Sequence, residues 1–507
     1  MSKIAWNDVD WTIVQKRISR QQRRVYKASK AGNKTVVQAL QRRIIGSLDA
    51  KLLAVRQLTT RNIGRNNAGV ETISHNKKIE LAYRLKLTGN ISSLTRTYIA
   101  KFGKRKYYPF SIPNYAKQML TKFALEPEWE AIFESNSYGS RPGRSCNDAI
   151  SALFKLLKEK YQYVLRANVQ KCFDSIDHNK LLNKLATFPQ MENQVKTWLK
   201  IGIMGDYSER SNEVFRSIEG TPTYGVIAPL LINIALHGLE NYIKDWYINN
   251  LYPSTRPNFK LTKQERKLTI GFSRYVDDFV ITAPKRDDII QIESEISKWL
   301  NAKVGLQLSK VKKRIVNSTE GFEFLGFQII SIKNQEKRIQ TIKIHPSRAS
   351  KVIIVQRIRK SIQKNRSASS YSLIKLLSRQ IIGWANYFRY SKCIQDFNKI
   401  DYLIFNQIRT WVFRRKSNGL RARTKLKLKY FPEGGTYRFR GKDYKNNWIL
   451  RGETLIKGKI KENYLPKMIW IQPEQHFKIR GNASPYDDNN LYWDKRRKIS
   501  DENPNVI

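Results

Sequence analysis

The run Phe272-Ser273-Arg274-Tyr275-Val276-Asp277-Asp278-Phe279-Val280-Ile281 places two adjacent carboxylates between apolar residues. That pattern predicts two strands with Asp277 and Asp278 at the tip of a hairpin. Carboxylates so placed can hold two Mg²⁺ ions roughly 3.5–4 Å apart, one on the attacking and one on the leaving oxygen of a nucleotidyl transfer. An Asp-Asp pair alone is most often a solvated turn. Set between apolar strands and preceded by Tyr275-Val276, it reads instead as a candidate catalytic and metal-binding pair.

The rest of the chain must supply the frame. From about residue 120 to 300, helical and strand-like runs alternate, which predicts an α+β body and excludes a plain helical bundle. Upstream, Val14, Ile18, Val25, Leu40, Ile44, Leu48, Leu52 and Leu53 recur near helical spacing among Arg, Lys and Gln, so residues 1–70 are predicted to be helical. Turn residues from Asn62 to Gly69 end that pattern. A basic stretch, Lys101 to Lys106, precedes Pro109-Phe110-Ser111-Ile112-Pro113. Residues 300–345 read as hairpin-rich, around Val304–Leu308 and Phe322–Ile330. The helical period returns from 346 to about 415 with heavy Lys and Arg decoration, and turns with short strands follow beyond 430. The polar end from Ser500 is predicted to be loose.

A length of 507 residues suggests about three domains. Hydrophobic residues at 41% and aromatics at 11% suffice for sizeable cores and exclude a disordered basic chain. Lys and Arg number 94 against 42 Asp and Glu, a formal net charge of +52. A compact body with that charge attracts polyanions, and neutralising phosphates releases condensed counterions. Nucleic acid is the expected partner. The basic residues run through every segment and do not gather in one amphipathic helix, which argues against a membrane surface. Cys146, Cys172 and Cys393 lie far apart, so neither a zinc site nor a disulfide framework is predicted. No apolar run reaches the roughly 18 residues of a membrane span, and Met1–Trp6 lacks a hydrophobic signal core. A soluble protein in a reducing compartment is expected. Abundant Lys, Ile and Asn favour an AT-rich genome, of an organelle or a bacterium.

Several blocks, in order, resemble group II intron-encoded reverse transcriptases. Leu125-Glu126-Pro127-Glu128-Trp129-Glu130 and Ser137-Tyr138-Gly139-Ser140-Arg141-Pro142-Gly143-Arg144-Ser145 are similar to family blocks reading LEPEWE and SYGFRPGRS. Asn168-Val169-Gln170-Lys171-Cys172-Phe173-Asp174-Ser175-Ile176-Asp177-His178 resembles DIKGCFDNIDH. The stretch from Gly220 to Leu236 resembles GTPQGGVISPLLANIAL, Tyr275–Asp278 resembles the reverse transcriptase signature, and Gly321–Phe327 resembles a block near the palm–thumb junction. Residues 6–70 resemble the family's RNA-binding N-terminal extension. Ile381–Tyr390, Phe397 and Trp411–Arg415 resemble the maturase, or X, domain that forms the thumb. The resemblance implies a right-hand polymerase fold: residues 1–70 a helical N-terminal extension, 71–340 fingers and palm, 341–430 thumb/X domain. Residues 431–507 would be a basic C-terminal segment, the remnant of a linker. Gly481–Trp493 resembles the linker leading to an HNH endonuclease in relatives, and with no CxxC pair or His-rich motif before Ile507 that nuclease is expected to be missing.

The resemblance also assigns roles. Asp277 and Asp278 would be catalytic and, in an active enzyme, would bind Mg²⁺. Lys101, Lys104 and Gly225 would meet the nucleotide, and Arg141, Arg144, Arg389, Arg414 and Arg415 would meet RNA. Trp384, Tyr387 and Phe388 are expected to be thumb core rather than base-stacking groups. Asn168 stands where the family has the Asp that bridges both metals, and a neutral amide cannot supply that oxygen. Misplacing a reacting group by about an ångström already costs roughly a hundredfold. Thr223 and Tyr224 replace a Gln and a Gly, and the Arg of the family's RPLGIP block is absent from Tyr108–Pro113. These departures predict a maturase that binds group II intron RNA and assists its splicing, with a degenerate reverse transcriptase site. The alternative is an active RNA-directed DNA polymerase supporting intron mobility, with a DNA target as a further partner. A third reading is a splicing factor acting on several introns. A plastid is the first expectation for location, then a mitochondrion or bacterial cytoplasm.

Overall fold

Trp11–Lys30 (α1), Lys34–Gly46 (α2) and Leu48–Thr60 (α3) form the N-terminal helices, as their apolar period predicts. The computed structural model describes residues 5–60, 73–90, 97–101, 104–108, 111–158, 162–170, 172, 175–200, 225–251, 262–311, 313–333, 340–415, 419–456 and 458–501. The expected turn at 62–69, the Pro109-Phe110 pair, Asp174, Thr223 and Tyr224 lie outside them.

After His75–Arg84 (α4) and the hairpin of Thr97–Lys101 (β1) with Lys104–Tyr108 (β2), Ile112–Glu130 (α5) runs through the core, with α1, α2 and α3 packed against it. Most residues of α5 are buried on every face, as a central helix requires. Pro127 sits inside it. Proline has no N–H to give the carbonyl four residues back, so Phe123 O loses its helical donor. Gln22 Nε2 supplies one, at 3.0 Å, and Gln41 Nε2 donates to Ala124 O at 3.2 Å. The N-terminal helices thus complete the hydrogen bonding of the core helix as well as covering it.

The central sheet is antiparallel, in the order β4-β5-β3-β6: Gly271–Tyr275 (β4), Asp278–Ala283 (β5), Tyr163–Asn168 (β3) and Arg314–Asn317 (β6). Cys146–Lys158 (α6) packs on β4, and Arg286–Val304 (α7) packs on β3 and β5. Val304 ends α7, with Gly305 at φ +72° as its cap, so the hairpin expected at 304–308 is a helix end. The left-handed cap suits glycine.

Two compact units are present: Met1–Asn317 with Phe477–Glu502, and Ser318–His476. The second holds an antiparallel sheet of Phe322–Phe324 (β7), Phe327–Lys333 (β8) and Gln340–Pro346 (β9). Its helices are Arg348–Lys364 (α8), Ser370–Phe388 (α9), Ile394–Phe413 (α10) and Leu420–Tyr430 (α11). Trp384, Phe388 and Phe397 pack together in its core, and Tyr387 donates to Leu325 O at 2.9 Å. These aromatics are structural, as expected. Short hairpins follow beyond residue 430, with Tyr437 and Tyr444 stacked on Trp470.

Residues 477–501 return to the first unit. Asp148 is fully buried and accepts from Ser145 N (2.8 Å), Ile479 N (2.7 Å) and Arg496 Nη2 (2.7 Å). Tyr486 donates to Glu126 Oε2 at 2.9 Å. The Trp493 ring lies 2.7 Å from where a Cβ on Gly143 would stand. The three cysteines are free and buried, and no helix among the described residues is long and apolar enough to cross a membrane.

Candidate active site and nucleic-acid interface

β4 and β5 are joined by the two-residue turn Val276-Asp277, with Tyr275 paired to Asp278. The acids therefore stand at a hairpin tip, as the sequence pattern predicts. Val276 has φ +59°, a conformation that costs a β-branched residue about 1–3 kcal/mol. The surroundings hold it there. Arg274, fully buried, donates from Nη1 to Val276 O and to Asn233 Oδ1, both at 3.0 Å. Asn233 Nδ2 donates to Gly139 O at 2.8 Å, and Val169 N donates to Asp277 O at 3.1 Å. A Cβ on Gly139 would stand 2.5 Å from Val276 N. Gly139→Ala is therefore expected to displace the turn and cost about 1–3 kcal/mol, the range of an overpacked core. Urea unfolding of the variant checks this, and an unchanged midpoint would refute it.

Asn168 ends β3, directly opposite Asp278, and its Nδ2 donates to Asp277 Oδ2 at 3.2 Å. Two residues earlier on the same strand face, Arg166 places Nη2 3.7 Å from Asp278 Oδ2. The three positions named from the sequence come together, with a guanidinium beside them that the sequence reading passed over. Alternation along β3 could have found it: 166 and 168 share a face. This donor set does not fit two bridged divalent ions. It offers two carboxylates from adjacent residues, a neutral amide where a bridging anion is needed, and a resident cation against Asp278. Among the described residues no cluster of three His, Cys, Asp or Glu could hold a metal ion.

Beneath the hairpin lies a layer of buried charge. Burial pushes Arg274 down to about 10 and His237 to about 4, and it raises the Glu134 carboxyl above its usual range. Lys184 is held down to about 8 by burial and donates to the carbonyls of Ala235 and His237. The layer is a support for the turn.

The basic residues expected at RNA divide sharply. Arg141 is 5% exposed and forms a two-pronged pair with Glu130, Nε to Oε1 at 2.7 Å and Nη2 to Oε2 at 2.9 Å. Its Nη1 donates to Glu134 O and Ser137 O. Its donors are consumed inside the core, so its placement at RNA is corrected. Arg389 is likewise corrected: it is 2% exposed and paired with Glu474. Arg144 donates to Ser135 O and Gly481 O, both at 2.7 Å, and burial lowers its guanidinium to about 10. It holds the C-terminal segment. Arg414 is exposed. Arg415 lies 3.7 Å over the Trp411 ring and donates to Ala368 O. Gly225 is buried, and its carbonyl accepts from Ala228 N at the start of the Ala228–Leu236 helix. Lys101 and Lys104 face each other across the tip of the β1–β2 hairpin, with side chains outside the described residues.

Comparison with known proteins gives three family matches. Residues 6–87 match the N-terminal domain of reverse transcriptase, 99–329 the reverse transcriptase (RNA-dependent DNA polymerase), and 353–431 the group II intron, maturase-specific domain. The chain is 25% identical over 286 residues to the group II intron-encoded protein LtrA of Lactococcus lactis, covering 46% of each chain. It is 27% identical to protein YkfC of Escherichia coli over 58% of this chain and 84% of that one. Maturase-like protein 1 of Euglena gracilis is 23% identical over 76% of both chains. The chain thus spans less than half the length of the Lactococcus relative it matches. With the matched domains in order along most of its length, the chain belongs to the group II intron-encoded reverse transcriptase/maturase family.

Proposed function

We propose that this protein is a group II intron maturase. It binds the folded intron RNA and stabilises its active form, and the RNA carries out the cutting and joining. The observation that carries this reading is the maturase-specific match at 353–431, which falls on helices α8 to α11 and their basic faces. The palm supports it from the other side: an amide and a guanidinium occupy places a polymerase would give to metal. A protein that binds the active RNA fold more tightly than its misfolded forms shifts that equilibrium by the difference in affinity. Moving an RNA from about 1% to 99% folded takes roughly 10⁴-fold preference.

The test is a splicing assay on group II introns, beside filter binding at moderate salt. Faster splicing and tighter binding to the intron than to an unrelated RNA of equal length are expected. Failure to bind or assist any group II intron overturns the reading. The Lys, Ile and Asn content favours an organelle or an AT-rich bacterium, and a plastid is the first of these to test; recovery only from mitochondria or bacterial cytoplasm on fractionation would refute the plastid.

A further inference from the structure

The second unit contains a cleft of about 1340 Å³, formed by α8, α10 and α11. This exceeds the roughly 300–1,000 Å³ of pockets that take small molecules. Besides Arg415, six cations line it: Arg359, Arg366, Arg414, Arg421, Lys425 and Lys429. Among the described residues none of the six is in an ion pair, and no acid lines the cleft. Arg421, Lys425 and Lys429 recur every four residues on α11, so they share one face. Like charges at that spacing disfavour a helix. The stripe is thus kept against its own repulsion, which an anion in the cleft relieves. Arg359 and Arg366 face it from α8 and the turn that follows. The floor is Trp411 and Tyr430, with Arg415 flat against Trp411 and tied to the carbonyls of Arg366 and Ala368. Arg415 is a positioning residue: it fixes the turn after α8 against α10.

We propose that this cleft takes a single-stranded stretch of RNA several nucleotides long. That the ligand is RNA rests on the maturase reading; that it is single-stranded rests on the cleft. Cations on facing helices converge on a concave channel, which suits a strand whose phosphates can turn to both walls. A duplex carries its phosphates on a convex outer surface and would touch only the rim.

The test compares Arg421→Gln/Lys425→Gln/Lys429→Gln with Lys442→Gln/Lys459→Gln/Lys461→Gln, which removes equal charge from the exposed hairpins beyond residue 430. The probes are a labelled ten-nucleotide single-stranded RNA and a duplex of the same length, read by fluorescence anisotropy in the full chain. The α11 variant is expected to lose at least about tenfold in affinity for the single strand. Its log-affinity slope against log salt is expected to fall by about 2, since each phosphate contact on a single strand contributes about 0.7. Duplex affinity, and both affinities of the hairpin variant, should stay within about threefold. Equal losses in both variants, or equal losses on both probes, overturn the proposal. So does competition by poly-glutamate of matched charge as effective as by RNA, which would make the cleft a seat for an acidic protein. Splicing assays on the same samples separate the two readings. Cleft-selective binding without any intron assistance sinks the maturase alone, and assistance without cleft selectivity sinks the cleft alone.

Discussion

Asn168→Asp is expected to give the palm a Mg²⁺ dependence that the native chain lacks. In the native protein the Asn168 amide donates to Asp277 and Arg166 lies beside Asp278. The two acids are thus partly neutralised by the protein's own groups. A third carboxylate at 168 turns a hydrogen bond of 3.2 Å into a like-charge contact. Two charges at 4 Å repel by about 4 kcal/mol at the effective dielectric near a protein surface, and Arg166 offsets part of this. Without metal the variant should therefore unfold at lower temperature than the native chain. Mg²⁺ should restore it, since a ligand at about a hundred times its dissociation constant adds about 2.7 kcal/mol. Native thermal unfolding should not respond to Mg²⁺ in this way, and Asp277→Asn placed on the variant should remove the response. In primer extension the native chain should run at least about a hundredfold below the variant. Native extension that is abolished by Asp277→Ala would show a working polymerase and defeat the degenerate-site reading. Equal Mg²⁺ stabilisation of both proteins would show that the amide position does not control ion binding.

Asp277-Asp278 was legible as a hairpin tip because its pattern is local, whereas Asn168, 109 residues away in the chain, was placed beside it only by the family resemblance. The helical N-terminus and thumb were legible for the same reason, since period 3.6 is written within each segment. What the sequence hid is burial of charge. Arg141 and Arg389 look like Arg414 in a string of letters. Only the fold brings Glu130 and Glu474 against them, the latter 85 residues away. Arg274 was hidden similarly: it lies inside the signature run yet points away from the acids to hold the turn from below. The cleft cations lie on separate helices, at 359 and 366 and again from 414 to 429, and nothing in their spacing says that they face one another.

Arg141→Met is expected to cost the first unit about 3–5 kcal/mol of stability, among the largest effects of any single replacement here. Removing one partner of a buried pair leaves the other charge without compensation. Glu130 would be left 3% exposed with neither guanidinium contact, Ser137 O would lose its donor, and Glu134 O would keep only the long bond from Ser137 N at 3.4 Å. Those carbonyls belong to the loop that leads to Gly139 and so to the Val276-Asp277 turn. Replacing both partners, as Glu130→Leu with Arg141→Met, should recover part of the loss, because neither charge of the pair is then left buried without its partner. It should not recover all of it, since Ser137 O is still unsatisfied, at about 1–3 kcal/mol. Urea unfolding of the two variants and the native chain gives these differences. RNA affinity supplies the second readout, measured where each protein is folded. If Arg141 is structural, as its geometry shows, the folded variants bind the intron as the native chain does and keep the same salt slope. A slope lowered by about 1 with stability intact would mean that Arg141 reaches a phosphate. That outcome requires the Glu130 pair to open in the complex, at the full cost of an uncompensated buried carboxylate.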